Sequence, residues 1–267
     1  MSAATDTQLP DSVGAPKVAL RGRKLLRGGV YLVVVLALWQ AYVSLADVPS
    51  YLLPGPIDVV QSVADLVVTG ELWPHLTYTI RNIILGLIIG TVVGCLLGWM
   101  LASSDRLRMV LTPYVVILQA APKIALAPLL VLWFGLGLGS QLTLIILLAF
   151  FPMMIAVTLG FAEVTDDQRA LGRILNLGRV RFFRVVQLPA AMPAIFSGLR
   201  IAVIDAMTGA FLAEYISAQR GLGYLMVLGR STYETSLLMA AVLLTVLVGL
   251  SGFALVNVIE RRAMPWR

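Results

Sequence analysis

Cysteine and histidine are almost missing from this chain of 267 residues, which has one of each, Cys95 and His75. A single cysteine excludes an intramolecular disulfide framework and a cysteine-rich metal site. Cys95 stands in an apolar run, where it reads as a small buried hydrophobe. His75 has no ligand cluster around it and reads as a polar residue near a helix start. Charge is scarce as well. Asp, Glu, Lys and Arg make up 13% of the residues, against about 25% in a soluble domain. The chain has no Gly-x-x-x-x-Gly-Lys-Ser/Thr run and so no phosphate loop of its own. Gly135-Leu-Gly-Leu-Gly139 lacks the lysine and closes an apolar run, which makes it a turn.

What is present is apolar. Hydrophobic residues reach 59% and mean hydropathy is +0.91, more than a soluble core of this size can hide, so a bilayer is the better solvent. The formal net charge of +6 does not point to nucleic acid, because the basic residues flank apolar segments rather than forming one aromatic-rich patch. About 20 mostly apolar residues cross a bilayer. Six stretches qualify: Gly29–Ala46, Asn82–Ala102, Leu111–Phe134, Gln141–Phe161, Met192–Ala213 and Ser236–Ile259. The first is longer than a signal-peptide core and lacks a clear cleavage site, so it reads as a retained anchor. The fold class is an all-α polytopic membrane protein with six transmembrane helices.

Basic residues set the orientation. They crowd the segment before the first span, the turn with Arg106 and Arg108, the loop from Arg169 to Arg184, and the chain after Arg261. Only Arg81, Arg220 and Arg230 fall on the other side. Both termini are therefore expected in the cytoplasm. The domain expectation is a basic cytoplasmic tail over 1–27, a permease domain over 28–262 with a cytoplasmic loop at 163–191, and a short tail over 263–267. Residues 1–20 have the composition of a disordered tail. Pro56–Trp73 shows helical periodicity, predicting a helix that lies on the membrane or caps the bundle.

Gly86, Gly90, Gly94 and Gly98 recur every four residues, a smooth stripe along which another helix can approach. Pro113, Pro122 and Pro128 in the third span predict a kinked or broken helix in the bundle interior, beside a cavity. In the inner loop, Asp166 and Asp167 suit a helix N-terminus. Ala170, Leu171, Ile174 and Leu175 form one face of that helix and Arg169, Arg173 and Asn176 another. Gly178 is expected to stop it, and a second segment, Arg179–Leu188, to end at Pro189.

The run Gly178–Arg200, with Leu188-Pro189, Pro193 and Gly198-Leu199-Arg200, resembles the signature loop of binding-protein-dependent ABC transporter permeases. Three further stretches resemble the nitrate/sulfonate/taurine branch. They are Leu53-Pro54-Gly55-Pro56, Ala121–Gly135, and Ala213-Glu214 followed by Gly221-Leu-Gly-Tyr224. Where that family has Glu-Ala-Ala, this chain has Gly172, Arg173 and Ile174. The resemblance covers about residues 50–260. It implies a permease subunit of an importer for a small solute, an organic or inorganic anion such as a sulfonate or nitrate. It further implies a second permease copy or paralogue, a solute-binding protein and a cytoplasmic ABC ATPase dimer. The ATP and Mg²⁺ would be bound by that dimer and no cofactor by this chain. Asp167, Arg169, Gly172, Arg173, Gly178 and Pro189 would form the ATPase-coupling loop.

Charged residues inside spans are candidates for the solute path or its gating. Lys123, beside Pro122, suits either attraction of an anion or neutralisation of a helix end. Asp205 is placed for a local pair with Arg200. Glu214 closes its span, where gating, docking and packing all remain open. The alternative is a nucleotide-independent secondary transporter or channel coupled through Lys123 and Asp205. It leaves the inner loop without a purpose and lacks an inverted repeat. No constellation of catalytic residues suggests a membrane enzyme.

Overall fold

The computed structural model describes residues 17–217 and 219–265, with side chains from Arg27 onward. The expected tail over residues 1–16 lies outside the described residues. Among the described residues every regular element is helical. Two units are distinguished, 1–57 and 58–267.

In the first unit, α1 (Lys17–Leu45) takes in the basic run that the sequence placed in the tail. Its apolar window Arg27–Leu45 is long enough to cross a membrane and is exposed along nearly its whole length, Val43 being its buried residue, which suits a helix largely surrounded by lipid. After Asp47 turns the chain with a left-handed backbone (φ 48°), the segment folds back. Gln40 Oε1 there accepts a hydrogen bond from the Ile57 backbone N–H (3.3 Å).

The second unit is built on α6. The helix expected over Pro56–Trp73 is α2 (Pro56–Val68), ended by the Thr69–Gly70 turn, and Trp73 belongs to the next helix. Val59 and Leu66 of α2 are buried. Leu66 joins Leu222, Leu225, Met226 and Leu244 in one cluster, so the helix caps the bundle. The glycine stripe lies on α3 (Leu72–Ser103) and faces α6 (Leu138–Ala162). A Cβ at Gly90 would sit 2.9 Å from Ala149 Cβ, and one at Gly94 would sit 2.6 Å from the Phe150 carbonyl oxygen. Backbone meets backbone there, and only glycine permits it. The other face of α6 receives α9 (Leu188–Ser217), where a Cβ at Gly160 would stand 2.9 Å from the Ala191 carbonyl oxygen. Ile145, Ala149, Met153 and Val157 of α6 join Ala202, Ala206 and Ala210 of α9 in the main core. Two helices close the bundle, α10 (Leu222–Ser231) and α11 (Thr235–Ala263).

The third span is broken, as its prolines predict, but each proline acts differently. Pro113 sits inside α4 (Asp105–Ala120) without ending it. Pro122 makes the break. It forces Ala121 into an extended conformation (ψ 138°), and the two halves meet at 78°. Pro128 falls in the first turn of α5 (Ala127–Phe134), where no amide donor is missed. A single 3₁₀ turn, Lys123–Leu126, leads into α5. The interior placement expected of this span holds only for its second half. Ala127 and Leu130 of α5 are buried, whereas α4 carries no buried residue. The apolar coat of α4 suits lipid as well as protein, so composition does not distinguish inside from outside.

Among the described residues five helices are long and apolar enough to cross a membrane, six if the bent pair counts as one span. The Gly135–Gly139 turn is as expected. Gly135 and Gly137 have φ of 76° and 121°, which side chains rarely adopt.

Candidate functional site

Three groups of functional candidates sit at three levels of the bundle. At one end, α7 (Asp166–Ile174) opens with a capping box. The Gln168 N–H donates to Thr165 Oγ1 (3.3 Å), and the Thr165 N–H donates to Gln168 Oε1 (3.1 Å). Asp166 and Asp167 occupy the first turn beside the positive helix end.

The sequence expectation for the end of α7 needs correction. Asn176, with φ 51°, turns the chain, and the Leu177 N–H closes the turn on the Gly172 carbonyl (3.0 Å). Asparagine tolerates this left-handed position. Gly178 instead starts the next helix, α8 (Arg179–Phe182). Nor does Pro189 end the second segment. A π-turn over Phe183–Gln187 widens the ladder and runs directly into α9, of which Pro189 is the second residue, so the chain stays helical through the proline.

Gly172 is buried because Phe182 lies over it; a Cβ there would be 2.6 Å from the ring. That contact folds α7 against α8. Leu171, Ile174 and Leu175, which the sequence made the apolar face of α7, are exposed. Beside them Arg169, Arg173 and Arg179 line an open cleft of about 510 Å³, together with Asp166 and Phe182.

Midway along the bundle, the Pro122 break borders a cleft of about 500 Å³ that contains Lys123, Phe151, Ser197 and Asp205. The Lys123 ammonium stands over the Phe151 ring, 4.4 Å from its centroid, a cation–π contact. Its charge also acts on Asp205. The local Arg200–Asp205 pair expected from sequence does not form. Arg200 pairs instead with Glu260 of α11 and donates to Asn257 Oδ1 (3.3 Å). Five residues along a helix put two side chains on different faces.

At the other end, Glu214 is buried at 1% exposure. Its Oε2 accepts from Thr79 Oγ1 of α3 (2.8 Å) and from the Gly223 N–H of α10 (3.1 Å). Thr79 Oγ1 in turn accepts from the Leu222 N–H (2.9 Å), and His75 Nδ1 accepts from the Gly221 N–H (3.1 Å). His75 also stacks on Tyr224 at 5.7 Å. The backbone amides of Gly221, Leu222 and Gly223 are thus each hydrogen-bonded to a side chain of α3 or α9. A Cβ at Gly221 would fall on the Glu214 carboxylate, and one at Gly223 would lie 2.6 Å from the Phe211 carbonyl oxygen. Nothing local in the sequence marks Thr79 and His75 as the partners. Gly221-x-Gly223, beginning seven residues beyond Glu214, is the trace the sequence carries.

Beside this clamp lies a second polar group. Gln141, fully buried, accepts at Oε1 from Tyr78 Oη (3.0 Å) and from Asn82 Nδ2 (3.1 Å), while its Nε2 donates to Ser217 Oγ (3.4 Å).

Residues 86–265 match the family described as binding-protein-dependent transport system inner membrane component. The chain is 34% identical over 89% of its length to the riboflavin transport system permease protein of Chloroflexus aurantiacus, covering 88% of that protein. It is 31% identical over 91% of its length to a putative aliphatic sulfonates transport permease protein of Bacillus subtilis, again covering 88%. Its fold matches a chain in an inward-facing structure of the MetNI methionine ABC transporter, with a TM-score of 0.57 and 18% identity. The match covers 71% of this chain and 98% of that one. A likeness of this extent replaces the alternative of a nucleotide-independent transporter or channel: the chain belongs to the binding-protein-dependent permease family and is a multi-pass inner-membrane subunit of an ABC importer.

Proposed function

We propose that this permease passes a small organic or inorganic anion, such as a sulfonate or nitrate, delivered by an extracytoplasmic binding protein and driven by an ABC ATPase dimer docked on α7 and α8. The observation that carries the coupling half is the α7–α8 hairpin. Exposed Leu171, Ile174 and Leu175 stand beside a cleft ringed by Arg169, Arg173 and Arg179. Apolar side chains in water, rimmed by cations, suit a protein partner with an acidic-edged groove. The Glu-Ala-Ala position holds Gly172 because Phe182 needs the space, so the grip falls on the neighbouring side chains. The basic residues of this loop and of the flanking segments support a cytoplasmic side for it and for both termini. A second permease copy or a paralogue completes the path, ATP and Mg²⁺ stay on the ATPase, and this chain binds no cofactor. The permease domain runs over 28–262.

The anion half draws on the sulfonate relative. Lys123 contributes less to it than its sequence position suggests, since Phe151 and Asp205 already engage its charge. The test is purification of the tagged chain in gentle detergent with its ATPase, then a ligand screen of the cognate binding protein. Stoichiometric recovery of the ATPase and an acidic ligand are expected. Recovery without any ATPase removes the coupling assignment, and a binding protein that holds only cationic or neutral ligands removes the anion. Arg173→Glu should weaken ATPase recovery about tenfold, on the order of 1.4 kcal/mol. Its stability should not change, because Arg173 is exposed.

Lys123 on the broken helix and Asp205 in the middle of α9 line one cleft, and there they gate the path. Asp205→Lys alone, or Lys123→Asp alone, sets like charges across the cleft and should cut ATP-driven uptake at least roughly tenfold. The double exchange should recover much of it, a coupling of about 0.5–3 kcal/mol. A double variant no better than the worse single one shows that the two charges act separately.

A further inference from the structure

The polar group around Gln141 forms the wall of a cavity of about 510 Å³ at the end of the bundle opposite α7, and the reading of the chain as an importer places that cavity on the outer side. Its lining includes Tyr78 of α3, Gly137 and Gln141 at the start of α6, Ser217 at the end of α9, and Gln219 and Arg220 beyond it. At Gln141 the hydrogen-bond accounting leaves a donor over. Gln141 Oε1 already accepts from Tyr78 and from Asn82, so its amide is fixed with the NH₂ group turned the other way. One N–H goes to Ser217 Oγ, whose own proton goes to the Ala213 carbonyl (2.8 Å). The second N–H is left without an acceptor among the described residues.

The helix end and the arginines beside this wall add positive charge, while Asn82 Oδ1, behind Gln141, is a buried acceptor with no partner among the described residues. The α6 N-terminus opens here on Gly137, which supplies no capping side chain, and the first N–H groups of a long helix carry partial positive charge. The Arg220 guanidinium stands exposed at the rim, and Arg81 lies over the Tyr78 ring at 5.3 Å. Among the described residues no acidic side chain lines the cavity. The volume is in the range of small-molecule sites, roughly 300–1,000 Å³.

We propose that this cavity is an oxyanion subsite that takes the sulfonate or carboxylate group of the solute as it leaves the binding protein. Arg220 supplies the charge, and the Gln141 amide with the open α6 terminus supplies the directed donors. The inference deepens the anion reading above, and its test does not depend on transport.

In the full chain carrying Cys95→Ala, Gln219→Cys places one thiol at the rim. The intact transporter, in membranes, is treated with an anionic and with a cationic methanethiosulfonate reagent. The anionic reagent should react about tenfold faster. Methanesulfonate at tens of millimolar should slow it several-fold where chloride of equal ionic strength does not. Arg220→Gln should remove that protection and Arg220→Lys should keep part of it. Arg220 makes no hydrogen bond within the described structure, so the fold should tolerate both changes. Protection no greater than that by chloride, or full protection persisting in Arg220→Gln, overturns the subsite. Absence of the ATPase from the purified chain would instead overturn the importer reading, and the labelling result would still stand.

Discussion

Gly94→Leu should leave little folded protein in the membrane, with several-fold lower abundance and, for what survives in detergent, a melting temperature many degrees below that of the unchanged chain. A Cβ at this position would stand 2.6 Å from the Phe150 carbonyl oxygen and 2.8 Å from Met153 Cβ. Neither atom is the end of a flexible side chain, so α3 and α6 must separate. Separation at one point loosens the whole seam, because Gly86, Gly90 and Gly98 press on the same helix at successive turns. Between membrane helices close packing supplies much of the association energy, lipid tails being as apolar as leucine. Overpacking typically costs about 1–3 kcal/mol. A backbone clash along a four-turn seam belongs at or above the top of that range. Gly29→Ala is the control, since nothing lies within 4 Å of a Cβ there. Wild-type abundance and melting for Gly94→Leu would mean that the seam can open without cost.

The glycine stripe of that seam was legible in the sequence, because it is written on one helix at a fixed spacing of four, although its partner α6 was not. The break at Pro122 was legible for the same reason, a local steric rule acting on one residue. The local rules reached less far where two of them competed. Gly178 looked like the stop of α7, yet Asn176 took the left-handed turn two residues earlier, and the glycine was free to open α8. Pro189 looked like an end, but the π-turn before it widens the ladder and the helix continues through the proline. Pairings between distant helices were not legible at all. Arg200 was assigned a neighbour five residues away, whereas its partner, Glu260, is sixty residues on. Gln141 had no mark as the centre of a buried amide network, since Tyr78, Asn82 and Ser217 are brought to it only by the packing of α3 and α9 on α6.

Glu214 was singled out for its charge, and the structure gives a reason to expect that its hydrogen-bonding shape matters more. Both of its hydrogen bonds fall on Oε2, while Oε1 is buried with no partner, and no ion pair reaches it among the described residues. A carboxylate doing electrostatic work at this depth would be expected to face a cation. What Oε2 does instead is tie Thr79 of α3 and the Gly223 amide of α10 to α9, joining three helices at one oxygen. Glu214→Gln keeps an acceptor in that place and should keep most of the stability and uptake, at a cost of about 1 kcal/mol for the amide group left facing the empty side. Glu214→Ala strands the Gly223 N–H and the Thr79 hydroxyl in a dry interior, each loss on the order of 1–3 kcal/mol. It should unseat α10, with a large drop in melting temperature and loss of uptake. Thr79→Val removes one bond and leaves the Leu222 N–H without its acceptor, so it should fall between the two. If Glu214→Gln proved as damaging as Glu214→Ala, the negative charge itself would be required, and Glu214 would return to the solute path as an ionised group. The ranking Gln, then Val at position 79, then Ala would make Glu214 the acceptor that holds the outer end of the permease together.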